Sequence, residues 1–320
     1  MDQILESIVA GAREALGSTG QVLGSTHGQA PRYELFNGAN SICSQKVRTV
    51  LAHHGMPYVS HTVNMFLGQT YLPGYVRLRM VGCRKLGGPL MSHHGGSTST
   101  SAGGCDGAVV PTLVDRQANE VVVDSKRICL YLDGQTAEAD RLRPASLAAA
   151  IDEELAIVDN LPNYQLLMGR TVGTSETATT KHDVGGNFSQ RKVAWCDRFL
   201  QEHADDATLV KAYTAKRAKE LSAANELFSP EAMRAAYDRA AKALQAFEGR
   251  LKRRSGAWLY GNAVTMADLF WGVELLRMKN MGVAMFWEGQ RLPQIGGFLA
   301  TTEALPSIRT AVAEWPGAMF

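Results

Sequence analysis

The spacing of apolar and polar residues changes character near residue 32 and again near residue 144. Residues 1–31 begin with Ile4, Ile8, Val9, Ala12 and Leu16 at helical spacing and then become rich in Gly, Ser and Thr. That pattern predicts a helix followed by a flexible connector, and it leaves open whether the segment docks. Arg32–Phe36 reads as a strand through Tyr33, Leu35 and Phe36, closed by Asn37-Gly38. A helix over about Cys43–His54 puts Val47, Val50 and Leu51 on one face, with Gly55 placed to end it and Pro57 just beyond. Tyr58–Val63 is a second strand, so the run is a β-α-β unit with a parallel pair. Val109–Val114 and Val121–Val123 flank a polar turn and form a hairpin. A helix over Lys126–Leu132 follows, with Asp124 or Ser125 as its N-cap.

The order β-α-β then β-β-α is that of a thioredoxin-like domain, expected over residues 32–134. Its interruption at residues 84–107 contains the low-complexity stretch Ser92–Gly104, which reads as a loop. His93 and His94 lie there without further ligands nearby, so a solvated loop is favoured over a metal site. Beyond Pro144 every strong pattern is helical: residues 146–160, 189–203, 206–227, 230–253, Leu269–Met278 and 304–314. Thr265-Met266-Ala267-Asp268 has the spacing of a capping box with Asp in place of Glu. The expected fold is therefore an α/β thioredoxin-like N-terminal domain plus an all-α C-terminal domain over residues 145–317, with residues 1–31 as an extension.

Charge narrows the partners. Thirty-three basic and 31 acidic residues give a net charge of +2, which offers no electrostatic reason to expect nucleic acid or an anionic membrane. No apolar run reaches the ~20 residues that span a bilayer. Asp2, Glu6 and Arg13 within a weakly apolar start do not make a secretory signal, so a cytoplasmic protein is expected. Five widely spaced cysteines and no zinc-type spacing fit that expectation and predict no metal. Cys83 and Cys105 flank the loop and could approach each other, but a disulfide is not expected in a reducing compartment. Cys129 and Cys196 read as small buried hydrophobes. The aromatic group Phe270, Trp271, Phe286 and Trp287 reads as core.

The candidate chemistry lies in Ser41-Ile42-Cys43-Ser44. Cys43 falls in the first turn of a helix, where unpaired N–H groups, the helix dipole, Lys46 and Arg48 favour a thiolate. Ser41 precedes it in the loop and can direct its hydroxyl at an incoming sulfur. A proline that opens the third strand of such a domain is expected to be cis, presenting the Val110 backbone beside Pro111 to a peptide-like ligand. Asp124 and Ser125 at the next helix N-terminus suit a carboxylate. Together these features describe a site for a tripeptide thiol. Tyr75 and Arg77 are candidates for lining it, and a packed, solvated helix explains them equally.

The set Ser41–Ser44, Val110-Pro111-Thr112-Leu113, Asp124-Ser125 and Gly261 with Thr265–Asp268 resembles the glutathione S-transferase superfamily. Ser-x-Cys-Ser followed by Lys46-Val47-Arg48 is similar to its zeta-like branch. That branch holds maleylacetoacetate isomerases and glutathione-dependent reductive dehalogenases of chlorinated hydroquinones. Three blocks, Tyr33–Met80, Val109–Leu132 and Trp258–Gly317, and the length of the chain resemble the dehalogenases more. The resemblance implies glutathione as co-substrate, with Val110, Pro111, Asp124 and Ser125 holding it, a small chlorinated aromatic as partner, and a homodimer. It further implies two half-reactions. Ser41 hydrogen-bonds the glutathione thiolate, which displaces chloride; Cys43 then attacks the sulfur of the conjugate, releases the reduced ring and forms a mixed disulfide that a second glutathione resolves. A glutathione-dependent isomerase, a lyase or transferase acting on aryl ethers, and a non-catalytic binding protein on the same fold are the alternatives.

Overall fold

The computed structural model describes residues 1–98, 104–169 and 178–318, with only the backbone course for 178–185. Five strands form one mixed sheet in the order β1-β3-β2-β4-β5: β1 Gln21–Leu23, β2 Tyr33–Asn37, β3 Tyr58–Thr62, β4 Thr112–Asp115 and β5 Glu120–Val123. β2 and β3 run parallel with Leu35 opposite Ser60, while β2–β4, β4–β5 and β1–β3 are antiparallel. Every residue of β2 is buried, as a central strand covered on both faces must be.

Alternation along β2 divides the molecule into two cores. Tyr33 and Leu35 face α2 (Ile42–His53), α4 (Ser125–Asp133) and the C-terminal helices, and share a core with Leu113, Phe247 and Trp271. Phe36 faces the other way, into a core with Val9, Tyr75 and Tyr213. That second core is built from α1 (Gln3–Leu16), α3 (Pro73–Leu86), α7 (Ala178–Glu202) and α8 (Ala207–Glu226). Tyr213 donates to the Tyr71 carbonyl at 2.7 Å, tying α8 to the sheet domain.

The N-terminal segment is part of the sheet domain, where the sequence predicts a helix and a flexible connector. α1 is capped by the Asp2 side chain and buries Leu5, Val9, Ala12 and Leu16. A Cβ on Gly74 would lie 2.4 Å from the Gly11 carbonyl, so the two helices meet backbone to backbone there. Arg13 also reaches across to the buried Glu34 at 2.5 Å. Burial would raise the Glu34 carboxyl, but hydrogen bonds from His61 and Arg13 outweigh it and hold the group at about 2. The expected connector supplies β1, which no apolar alternation announced.

The loop after α3 also departs from expectation. α3 carries Cys83 to its last turns, and the Leu90–Cys105 bridge folds the chain back, with Met91 N–H donating to the Cys105 carbonyl at 2.9 Å. The Cα atoms of Cys83 and Cys105 then stand 5.7 Å apart and the two residues form a disulfide, contrary to the two thiols predicted. His94 is buried in the loop and stacks on Tyr164 with ring centroids 4.5 Å apart, so this part is not the solvated segment expected. Residues 99–103 of the stretch lie outside the described residues.

The C-terminal half contains α5 (Ala148–Asp159), α6 (Asn163–Met168), α7, α8, α9 (Pro230–Arg253), α10 (Met266–Asn280) and α11 (Pro293–Glu303). Asp268 accepts from the Thr265 N–H at 2.8 Å, the reciprocal half of the expected capping box, and separately from the Leu259 N–H at 2.9 Å. Trp271 stacks on Phe247 at 3.9 Å and donates its indole N–H to Glu154 at 2.7 Å, which explains an aromatic group spent on core. Two short helices, α6 and α11, carry too few apolar positions for the periodicity to reveal them.

Candidate active site

Ser41 is the N-cap of α2; its oxygen accepts the Ser44 N–H at 3.4 Å, while its own hydroxyl hydrogen stays available to donate. Ser44 closes the same loop by accepting the Gly38 N–H at 3.1 Å. Arg48 clamps it from below, donating to Asn37 Oδ1 at 2.8 Å and to the Gly38 and Ala39 carbonyls at 3.1 and 2.8 Å. Its guanidinium also lies over Trp315 at 4.2 Å and donates to the Ala311 carbonyl, so the C-terminal segment braces α2. Arg48 is therefore spent on the loop backbone and does not stand beside the cysteine as a free charge.

Cys43 is half-buried at the second position of α2. Burial pushes its thiol up from the ordinary value, opposed by the Lys46 ammonium and a hydrogen bond with the Ser125 hydroxyl. This corrects the expected lowered value: the helix terminus and Lys46 do not overcome desolvation. Lys46 itself is locked to Asp159 at 2.9 Å and lies 4.7 Å from the centroid of the Phe270 ring.

The Val110–Pro111 bond is cis. Arg79 and Tyr75 of α3 hold the chain on either side of it. Arg79 donates to the Asp106 carbonyl at 2.6 Å and to the Pro111 carbonyl at 2.5 Å; the Tyr75 hydroxyl donates to the Val109 carbonyl at 2.7 Å. Val110's own N–H and C=O make no hydrogen bond among the described residues. Tyr75 is thus a support under the loop, and Arg77 pairs at the surface with Asp206 at 3.0 Å, away from the cavity.

Ser41, Cys43 and Val110 line one cavity of about 220 Å³ between the two halves. Pro111, Asp124 and Ser125 do not line it. Asp124 caps α4 with φ 76° and accepts the Arg127 N–H at 3.1 Å, and Ser125 is turned toward Cys43. The cavity's apolar walls include Met65, Tyr71, Tyr164 and Phe188.

The same cavity is also lined by groups that the sequence did not bring together. Asp106 Oδ2 accepts from both Lys216 and Lys219 at 2.8 Å. Glu220 pairs with Lys216 at 2.8 Å and with Lys192 at 3.1 Å, and Lys192 also donates to the Tyr164 hydroxyl at 3.0 Å. Burial would raise the Glu220 carboxyl, and the lysines hold it far below its ordinary value. His94 Nδ1 accepts the Gly96 N–H at 3.0 Å; burial and the neighbouring lysines hold the ring well below its ordinary value, hence neutral. A signal existed in α8: Leu209, Ala212, Tyr213, Lys216, Lys219, Glu220 and Ala223 share one buried face, so charged residues occupy an apolar stripe.

A thioredoxin-like sheet with a capped serine turn and a cis-proline loop, joined to a helical half across one cavity, defines a glutathione-transferase type of fold. The chain belongs to the glutathione S-transferase family. Residues 40–135 match the family's N-terminal domain and residues 230–301 its C-terminal domain. It is 32% identical to 2,5-dichlorohydroquinone reductive dechlorinases from two strains of Sphingobium indicum over 290 residues, covering 90% of this chain and 84% of theirs. Among solved structures, β-etherase LigF from Sphingobium sp. strain SYK-6 matches with a TM-score of 0.57 and 14% identity, covering 88% of this chain and 98% of that one. A bacterial zeta-class maleyl pyruvate isomerase matches with a TM-score of 0.51 and 15% identity, covering 90% and all of that chain.

Proposed function

We propose that this protein is a glutathione-dependent reductive dehalogenase of chlorinated hydroquinones. The observation that carries the reading is one cavity lined by a serine hydroxyl, a half-buried thiol and a backbone peptide with both groups unspent, in a chain 32% identical to dechlorinases over most of its length. Glutathione would add to Val110 as a short strand, with its sulfur under the Ser41 hydroxyl. Its thiolate attacks a chlorine-bearing ring carbon of the substrate's keto tautomer, and chloride leaves with the C–Cl electron pair. Cys43 thiolate next attacks the conjugate's sulfur. The C–S electron pair returns to the ring, which takes a proton, and Cys43 carries the glutathionyl sulfur as a disulfide. A second glutathione releases it as glutathione disulfide, so the ring is reduced by two electrons as two thiols are oxidised.

The test is a product balance on purified protein with glutathione and 2,5-dichlorohydroquinone. The reading expects one chloride, one less-chlorinated hydroquinone and one glutathione disulfide for every two glutathiones consumed. Isomerisation of a maleyl-type substrate without glutathione consumption, or conjugate as the sole product, would replace it with the isomerase or transferase reading. A cytoplasmic homodimer is the proposed form. Cell fractionation and light scattering decide compartment and assembly.

A further inference from the structure

The lysine cluster that shares the cavity with Cys43 is more than a closed set of ion pairs. Three ammonium groups, Lys192, Lys216 and Lys219, face two carboxylates, Asp106 and Glu220, and His94 beside them is neutral. One positive charge is left in excess among the described residues. It sits where charge is least shielded: Lys216 and Lys219 are 3% and 8% exposed, and all three lysines line the cavity. The donors are also unequally spent. Lys216 reaches two carboxylate oxygens and Lys192 a carboxylate and a phenol, but Lys219 donates only to Asp106 Oδ2, which Lys216 already shares. An ammonium carries three N–H groups, so Lys219 retains two with no acceptor among the described residues. Leaving a buried charge under-coordinated is costly, and burial together with the adjacent Lys216 lowers the Lys219 ammonium from its ordinary value. An anionic oxygen arriving in the cavity removes both deficits at once.

We infer that the Lys192–Lys216–Lys219 cluster is an anion subsite of the substrate cavity, selecting aromatic rings that carry an ionised oxygen, either a phenolate or a carboxylate. The inference rests on the dehalogenase reading for the ring itself and names the feature of the ring that this site recognises. Chlorine withdraws electrons and acidifies a ring hydroxyl, so a chlorinated hydroquinone supplies such an oxygen near neutral pH. The Tyr164 and Phe188 side chains wall the same cavity and would cover the ring faces. Ser41 and Cys43 line the same cavity, so a ring held there by its oxygen shares one space with both.

Calorimetric binding to the full chain without glutathione tests this with four probes: 2,5-dichlorohydroquinone, its monomethyl ether, its dimethyl ether and the matching dichlorobenzoate. The dimethyl ether cannot ionise. The subsite predicts that it binds at least about tenfold more weakly than the hydroquinone and the monomethyl ether, the worth of one charge-assisted hydrogen bond. Whether the monomethyl ether or the benzoate binds more tightly tells a phenolate from a carboxylate subsite. Lys219→Met should bring the ionisable probes to within about threefold of the dimethyl ether without weakening the latter, and Lys219→Arg should keep most of the preference. Equal binding of the dimethyl ether and the hydroquinone to the wild-type protein overturns the inference, as does binding of none of the four. So does equal weakening of every probe by a folded Lys219→Met. If that variant does not fold, the wild-type selectivity decides alone. Chloride release after glutathione is added to the same samples separates the two claims. Anion preference without chloride removes the dehalogenase reading and keeps the subsite; chloride release without anion preference does the reverse.

Discussion

Lys46 and Lys219 are both buried where the two halves of the molecule meet, and they are spent in different ways. Lys46 leaves α2, crosses to Asp159 at the end of α5 and lies near the ring of Phe270. Burial would lower its ammonium, but Asp159 outweighs that and holds it above the ordinary range. Lys219 shares one carboxylate oxygen with a second lysine and ends below the ordinary range. The first is a closed pair that fixes the halves and biases Cys43. The second is an open arrangement that an anion completes. A buried charge with its partner in place stabilises a fold, whereas one left short of acceptors marks a place for a ligand.

Breaking the closed pair should give the largest effect. Lys46→Met leaves the Asp159 carboxylate buried without its cation, so a loss of about 3–5 kcal/mol in unfolding free energy is expected by urea denaturation. A loss below about 1 kcal/mol would mean that Asp159 finds water or another donor, and the contrast with Lys219 would dissolve.

The reactivity of Cys43 sharpens the comparison next. Because burial holds the thiol above its ordinary value, the neutral form dominates at pH 7 and the thiolate fraction grows as pH rises. The rate of the Cys43-dependent step should rise about tenfold per pH unit between pH 7 and 9, followed by single-turnover release of hydroquinone from a glutathionyl hydroquinone. A flat profile there would mean that the conjugate itself lowers the thiol, with Lys46 as the cation nearest to hand.

Glu274 gives the smallest effect. It accepts from Asn163 at 3.0 Å and is pushed up to about 7 by burial, against the pull of Lys46. The folded chain keeps this proton up to about pH 7, whereas the unfolded chain loses it near its ordinary 4.5, so stability falls as pH rises through that window. Glu274→Gln should therefore stabilise by about 1–2 kcal/mol at pH 8 and change little at pH 5, read as melting temperature at each pH.

The two lysine environments also mark how far the sequence could be followed. Ser41, Cys43 and the proline just before β4 lie at junctions with local signals: a cap before a helix, a thiol in its first turn, a proline leading into a strand. Such signals need only neighbouring residues, and the thioredoxin-like order of strands followed from the same kind of evidence. The open cluster draws Asp106 from a loop, Lys192 from α7 and Lys216, Lys219 and Glu220 from α8, and no spacing within one segment reveals that they meet. Its only trace was charge on the buried stripe of α8. β1 was hidden for a related reason: three residues paired at an edge carry little apolar periodicity. The Cys83–Cys105 bond escaped because the Leu90–Cys105 bridge that closes it is tertiary. The direction of the Cys43 shift was misjudged because charge and dipole can be read from sequence, whereas desolvation requires knowing what packs around the sulfur.

The division of labour between Ser41 and Cys43 is tested most directly by mixing the protein with one equivalent of preformed glutathionyl hydroquinone and no free glutathione, then mapping adducts by mass spectrometry. The account predicts one equivalent of hydroquinone released and a glutathionyl group on Cys43 alone, with Cys43→Ser leaving the conjugate intact. Hydroquinone released equally by Cys43→Ser, or an adduct on another cysteine, would contradict it.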